Sequence, residues 1–145
     1  MESIDRSALV PYTQAEMFAL VSDVDSYPEF LPWCSGAETL SCEEDHVDAR
    51  IEFHVGGLKK SFTTRNRHVQ DALIEMQLVD GPFSDLQGRW EFTPLGQDGC
   101  RISLHMEYDF SSRMVRSVTA PVFGQIANSL VDAFQKRAAE IYGER

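Results

Sequence analysis

The segment from Arg113 to Tyr142 constrains the fold more than any other, because it reads as one long helix that cannot bury its apolar face by itself. Val115, Val118, Val122, Phe123, Ile126, Leu130, Val131, Phe134, Ala138 and Ile141 follow one another mostly at steps of three and four, which draws a single stripe along a helix. Ser111 and Ser112 offer N-cap hydroxyls, Lys136 and Arg137 lie toward the negative C-terminal end, and Gly143 follows as a C′ residue. Pro121 removes a backbone donor and crowds the preceding turn, which predicts a kink, or a short helix over 113–120 followed by a main helix from 121. At about 1.5 Å per residue the segment spans about 45 Å, longer than a strand, so only a broad curved sheet could cover it.

At 145 residues the chain is long enough to bury roughly two thirds of its unfolded surface as one domain, 1–145. A formal charge of −10 opposes nonspecific binding to nucleic acid phosphates or anionic lipid, so DNA is not an expected partner, although a local basic patch remains compatible with it. The N-terminus has neither a basic nor an apolar leader region, and no run of apolar residues is long enough to cross a membrane, so a cytoplasmic location is expected. Cys34, Cys42 and Cys100 are odd in number and form no C-x-x-C pair, which fits free thiols in a reducing compartment and argues against a structural metal.

Along the chain, residues 3–10 read as a strand whose apolar register of Ile4, Ala8 and Val10 is interrupted by Arg6. Thr13 and Glu16 make a capping box, flanked by the staple residues Tyr12 and Met17, so a helix starts near Gln14. Tyr27-Pro28-Glu29-Phe30-Leu31-Pro32-Trp33-Cys34 then combines two prolines, which forbid a regular element, with large apolar side chains that demand burial. That loop can be a core plug, a lid over a cavity, or a rim touching a membrane.

From Gly36 to Phe110 the period becomes two. Val47, Ala49, Ile51, Phe53 and Val55 alternate with polar residues, and the same pattern recurs in Ala72 to Leu78, Leu86 to Phe92 and Cys100 to Phe110. Short connections rich in Gly, Pro and Asp make the strands an antiparallel meander; with a weaker strand near 37–43 the sheet has about seven strands. Gly56-Gly57, Gly81-Pro82-Phe83, the start of the last helix and the Trp33 loop should share one end of the domain as a portal.

The stretch Leu58 to His68 differs from the other strands. Its inward register should be Leu58, Phe62, Thr64, Asn66 and His68, because the alternative places Arg65 and Arg67 in the core. Hydroxyl, amide and imidazole groups then face inward, either satisfied by backbone and water or serving as a polar anchor in an apolar cavity. Lys59, Arg65 and Arg67 fall on the outer face, where they make cross-strand salt bridges with acids on neighbouring strands or form an interaction patch.

The sequence Val24-Asp25-x-Tyr27-Pro28-x-Phe30-Leu31-Pro32-Trp33-Cys34, with Gly81-Pro82-Phe83, Trp90-x-Phe92 and the long terminal helix, resembles the START-like superfamily, in particular the branch of coenzyme Q-binding proteins and ribosome association toxins. The resemblance implies an α+β helix-grip fold of START/Bet v 1 type, with a curved antiparallel sheet around the C-terminal helix. It also implies three functions: a ubiquinone-binding chaperone supporting respiration, a toxin that binds the large ribosomal subunit and blocks subunit association, or a polyketide cyclase-like enzyme. No G-x-S-x-G, H-E-x-x-H or glycine-rich phosphate loop is present, and His54 and His105 fall on the outward register, so a non-enzymatic carrier is expected, with ubiquinone or a similar lipid as ligand and no other cofactor. The expected lining is Phe30, Trp33, Phe53, Phe62, Thr64, Asn66, Met76, Phe83, Trp90, Met106 and Tyr108 from sheet and loops. Phe123, Ile126, Ala127 and Leu130 complete it from the helix, with Ala127→Trp expected to obstruct a ligand at little cost in stability.

Overall fold

A computed structural model describes all residues, 1–145. The alternating stretches form β2 (Cys34–Cys42), β3 (Val47–Val55), β4 (Leu58–Val69), β5 (Leu73–Asp80), β6 (Phe83–Leu95) and β7 (Gly99–Phe110), each antiparallel to the next. β1 (Glu2–Val10) pairs antiparallel with β7, so the strand order across the curved sheet is β1-β7-β6-β5-β4-β3-β2. The weak strand expected from Ala37 starts at Cys34 instead, because the Trp33 carbonyl accepts from His54 N at 2.9 Å and draws the loop into the sheet.

α1 (Gln14–Ser22) starts at the capping box, with Thr13 Oγ1 accepting from Glu16 N at 3.2 Å and Glu16 Oε1 accepting from Thr13 N at 3.0 Å. A short 3-10 turn over Val24–Glu29 follows and packs on β2, where Asp25 accepts from Thr39 N at 2.9 Å. α2 (Arg113–Tyr142) is capped by Ser112 Oγ on Val115 N at 3.1 Å and ends at Gly143, whose φ of 84° suits glycine. Contrary to the expected division at Pro121, α2 runs unbroken. Pro121 and Ser117, whose carbonyl it leaves without a partner, are both exposed, so water can satisfy that carbonyl. No helix is long and apolar enough to cross a membrane.

The backbone of α2 approaches β1, β7 and α1, with no comparable approach to β2 through β5. Arg6, which broke the register of the first strand, is exposed and donates to Asn128 of α2 at 3.0 Å. The other end of the helix is tied to α1. Tyr12 Oη donates to the Gly143 carbonyl at 2.9 Å, Tyr142 Oη to the Glu16 carbonyl at 2.9 Å, and both Arg145 terminal nitrogens reach the Glu16 carboxylate at 2.7 Å. The Arg145 guanidinium, with the Thr13 amide, pulls the Glu16 carboxyl from 4.5 to about 2. A depressed carboxyl contributes stability above its ordinary titration range and loses it as pH falls toward 2, since the folded state must then bind the proton. Arg145→Ala should therefore lower the melting temperature at pH 7 by about 2 °C, as expected of a partly exposed ion pair. The same substitution should cost markedly less at pH 2, where Glu16 is about half protonated, and an equal loss at both pH values would rule out the ion pair as the cause.

Candidate ligand-binding cavity

Four strands set the floor of a cavity between α2 and the sheet. Asn66, Met76, Gly88 and Met106 are successive cross-strand neighbours on β4, β5, β6 and β7, all on the concave face. Gly88 carries no side chain there for a steric reason: a Cβ would lie 3.0 Å from Met106 Cγ, 3.1 Å from Met76 Cε and 2.9 Å from the His105 carbonyl oxygen. The two thioethers thus meet over a glycine and form a flexible floor. Trp90 and Leu104 extend it one row further, and Phe123, Ile126, Ala127, Leu130 and Phe134 roof it from α2.

The enclosed space is about 60 Å³. That is room for about two waters and not for a quinone ring, so a ligand must displace side chains to enter. Half-buried Trp33, Ile51, Phe62 and Leu130 lie where the lining meets solvent. Only Thr64 and Asn66 among the lining residues are not apolar or aromatic, and Thr64 Oγ1 donates to Asn66 Oδ1 at 2.8 Å. Tyr27 also lines the space, but its hydroxyl donates to the Val21 carbonyl and burial raises its pKa. His68 turns away, edge-on to Phe18 at 5.6 Å, and burial lowers its pKa.

Trp33, Phe62, Thr64, Asn66, Met76, Trp90, Met106, Phe123, Ile126, Ala127 and Leu130 line the cavity, and Phe30, Phe53, Phe83 and Tyr108 do not. Phe53 is fully buried behind Phe62 and Phe123, and Phe83 and Tyr108 crowd Phe123 at 4.9 and 4.8 Å and seal that end. Phe30 sits outside, against Tyr27 and Phe134, with the Arg137 guanidinium 4.9 Å above its ring. Among the residues the sequence reading did not assign to the site, Ile51, Leu86, Leu104 and Phe134 lie on its apolar registers, and Val24 and Tyr27 come from the 3-10 turn, Val24 in helical step with Val21 and Tyr27 with no periodicity to mark it.

The proline-rich loop is chiefly a plug: Leu31 is 1% exposed and Cys34 5%. Trp33 is the exception, because it borders both the cavity and an outer groove against Ser129, Ala133 and Lys136. The Gly56-Gly57 turn, Trp33 and Phe83 do share one end of the sheet, fixed by Val55 opposite Leu58, Thr63 opposite Asp80 and Ser111 N donating to the Pro82 carbonyl at 3.1 Å. On the outer face Arg65 grips Asp48 at 2.9 and 3.0 Å, Arg67 pairs with Glu75, and Lys59 lies 3.6 Å from Glu52. His54 is exposed and His105 faces outward to Glu107 at 3.3 Å.

A long terminal helix held across a curved seven-stranded antiparallel sheet, with an apolar cavity between them, defines the helix-grip class of the START and Bet v 1 type. Within that class the chain belongs to the family of polyketide cyclase / dehydrase and lipid transport proteins, whose pattern matches residues 10–135. It is 46% identical over 140 residues to the ribosome association toxin RatA of Pseudomonas aeruginosa, covering 97% of each chain. Against the mitochondrial coenzyme Q-binding protein COQ10 homolog B of Xenopus laevis it is 25% identical over 143 residues, covering 96% of this chain and 59% of that one. The solution structure of an 18 kDa protein from Caulobacter crescentus superposes with a TM-score of 0.77 at 34% identity over 99% of both chains. The Zhui aromatase/cyclase of a Streptomyces species shares the fold, with a TM-score of 0.83 at 14% identity over 94% of this chain and 93% of that one.

Ala127 is fully buried against this narrow space, so the expectation that Trp fits there at little cost does not survive. Nine added heavy atoms exceed a cavity of about 60 Å³. Ala127→Trp should cost about 1 to 3 kcal/mol by overpacking, read as a lowered midpoint in chemical denaturation. Ala127→Val, adding two carbons, should be close to neutral, and a Trp variant as stable as the parent would mean that the roof yields more than its packing implies.

Proposed function

We propose that this chain is a non-enzymatic carrier of a hydrophobic small molecule, of the ubiquinone or polyprenyl-lipid class, acting in the cytoplasm in support of respiratory electron transport. The observation that carries this reading is the cavity under α2, lined almost wholly by apolar and aromatic side chains with a single polar pair and a soft thioether floor. The coenzyme Q-binding relative supports the ligand class. The carrier reading is preferred to a cyclase because the titratable phenol at the cavity, Tyr27, is engaged by backbone and raised by burial, and so is unsuited to proton transfer near neutrality. A ligand drawn from a bilayer would require transient membrane contact.

A second reading, association with the large ribosomal subunit as a toxin, is favoured by the full-length similarity to RatA proteins. The charge of −10 points such an interaction toward ribosomal protein, or toward a local use of Lys59, Arg65 and Arg67, more than toward bulk RNA phosphate. Organic extraction of the purified protein followed by mass spectrometry tests the first reading, with a co-extracted quinone or polyprenyl lipid expected. Cosedimentation with large subunits at low salt tests the second, with Lys59→Gln/Arg65→Gln/Arg67→Gln expected to reduce it. No extracted lipid together with wild-type cosedimentation would reverse the order of the two readings.

A further inference from the structure

We infer that the cavity selects a neutral ligand bearing a hydrogen-bond acceptor, and that Asn66 is the residue that reads it. This rests on the carrier reading and specifies what is carried. Thr64 and Asn66 are 4% and 6% exposed, and the Thr64 hydroxyl occupies Asn66 Oδ1 at 2.8 Å. With Oδ1 engaged by the hydroxyl, Nδ2 donates to no protein acceptor, and the lining around it is otherwise apolar or aromatic apart from Thr64. The one fully occluded side-chain polar atom without a partner is Thr119 Oγ1, so Asn66 Nδ2 is not sealed in the packing; it opens on the cavity.

Only water can take the two Nδ2 hydrogens in this apolar space, and a bound acceptor would replace it. No Lys, Arg or His lines the cavity, so a carboxylate would be desolvated there without a counter-charge, whereas a carbonyl oxygen would need only the donor. Room for the group can open beside the anchor, since Met76 is the direct cross-strand neighbour of Asn66 and its thioether abuts the side-chain-free position at Gly88. The pocket thus rejects fatty acid anions by desolvation and accepts quinones, ketones or esters.

The test compares wild type, Asn66→Leu, Thr64→Val and Thr64→Val/Asn66→Leu, using tryptophan quenching by ubiquinone-1, competition by decanoate at pH 7, and thermal unfolding without ligand. Wild type should bind ubiquinone-1 saturably and decanoate should fail to compete. Asn66→Leu should weaken ubiquinone-1 about tenfold, the loss of one well-formed hydrogen bond; because it also strands the Thr64 hydroxyl, stability is read in Thr64→Val/Asn66→Leu, which removes both partners and should melt no lower than wild type. Thr64→Val should weaken binding less, by freeing the amide to turn. Saturable binding of ubiquinone-1 that Asn66→Leu leaves unchanged would overturn the inference while the carrier reading stands. A lowered melting temperature in Thr64→Val/Asn66→Leu would make the pair structural, and effective competition by decanoate would remove the selection for neutral ligands. Wild type that binds neither probe would remove the carrier reading itself.

Discussion

Everything in this molecule depends on where the apolar stripe of α2 is buried. The helix is held at backbone distance by β1 and β7, and its C-terminal end is clamped to α1 through Tyr12, Tyr142 and Arg145. Two supports on one side fix a rigid rod, while β2 through β5 curve away from it. The gap is then filled by long side chains from both surfaces, chiefly the aromatic cluster around Phe123 and Phe134. Where that filling is aromatic and interlocked the core is solid; where it is Met76, Met106 and Leu130 over Gly88, it is narrow and deformable. Site and core are therefore one layer of side chains, differing in stiffness more than in composition.

Much of this was legible in the amino-acid pattern. Strict alternation through Val47 to Val55 and through Cys100 to Phe110 gave strands in the right register, and the exclusion of Arg65 and Arg67 from a core placed Thr64 and Asn66 inward on β4. Periodicity could not say which inward aromatic faces space and which faces another ring. Phe53, Phe62, Phe83 and Tyr108 share one pattern and all meet the Phe123 ring, yet of these only Phe62 also lines the cavity, a difference of position in the whole sheet that no single strand encodes. Pro121 misled for a different reason. The division expected there did not occur: Pro121 and Ser117, whose carbonyl loses its donor, are both exposed, so water can satisfy that carbonyl.

The stretch from Tyr27 to Cys34 shows how family resemblance and packing can rest on the same residues for different reasons. Its prolines keep it out of helix and strand, and its apolar side chains then distribute themselves among three environments. Leu31 and Cys34 fill the core, Phe30 packs under Arg137 at the surface, and Trp33 spans the wall between cavity and groove. Such a wall is a single side chain thick. Its backbone is anchored by the bond from His54, so what can move is the indole and not the loop.

The pairing of β1 with β7 also bears on how the chain assembles. Glu2 lies opposite Tyr108 and Val10 opposite Cys100, so the contact joins the two ends of the strand region, while the pairings from β2 to β7 are made between neighbours in sequence. Closing so long a loop is entropically the slowest step available to a meander. Because α2 leans on β1 and β7 and on little else of the sheet, its docking surface is complete only with that closure. The hairpins of β2 to β7 alone would leave their inward faces bare, and the hollow exists only where the first and last elements of the chain meet.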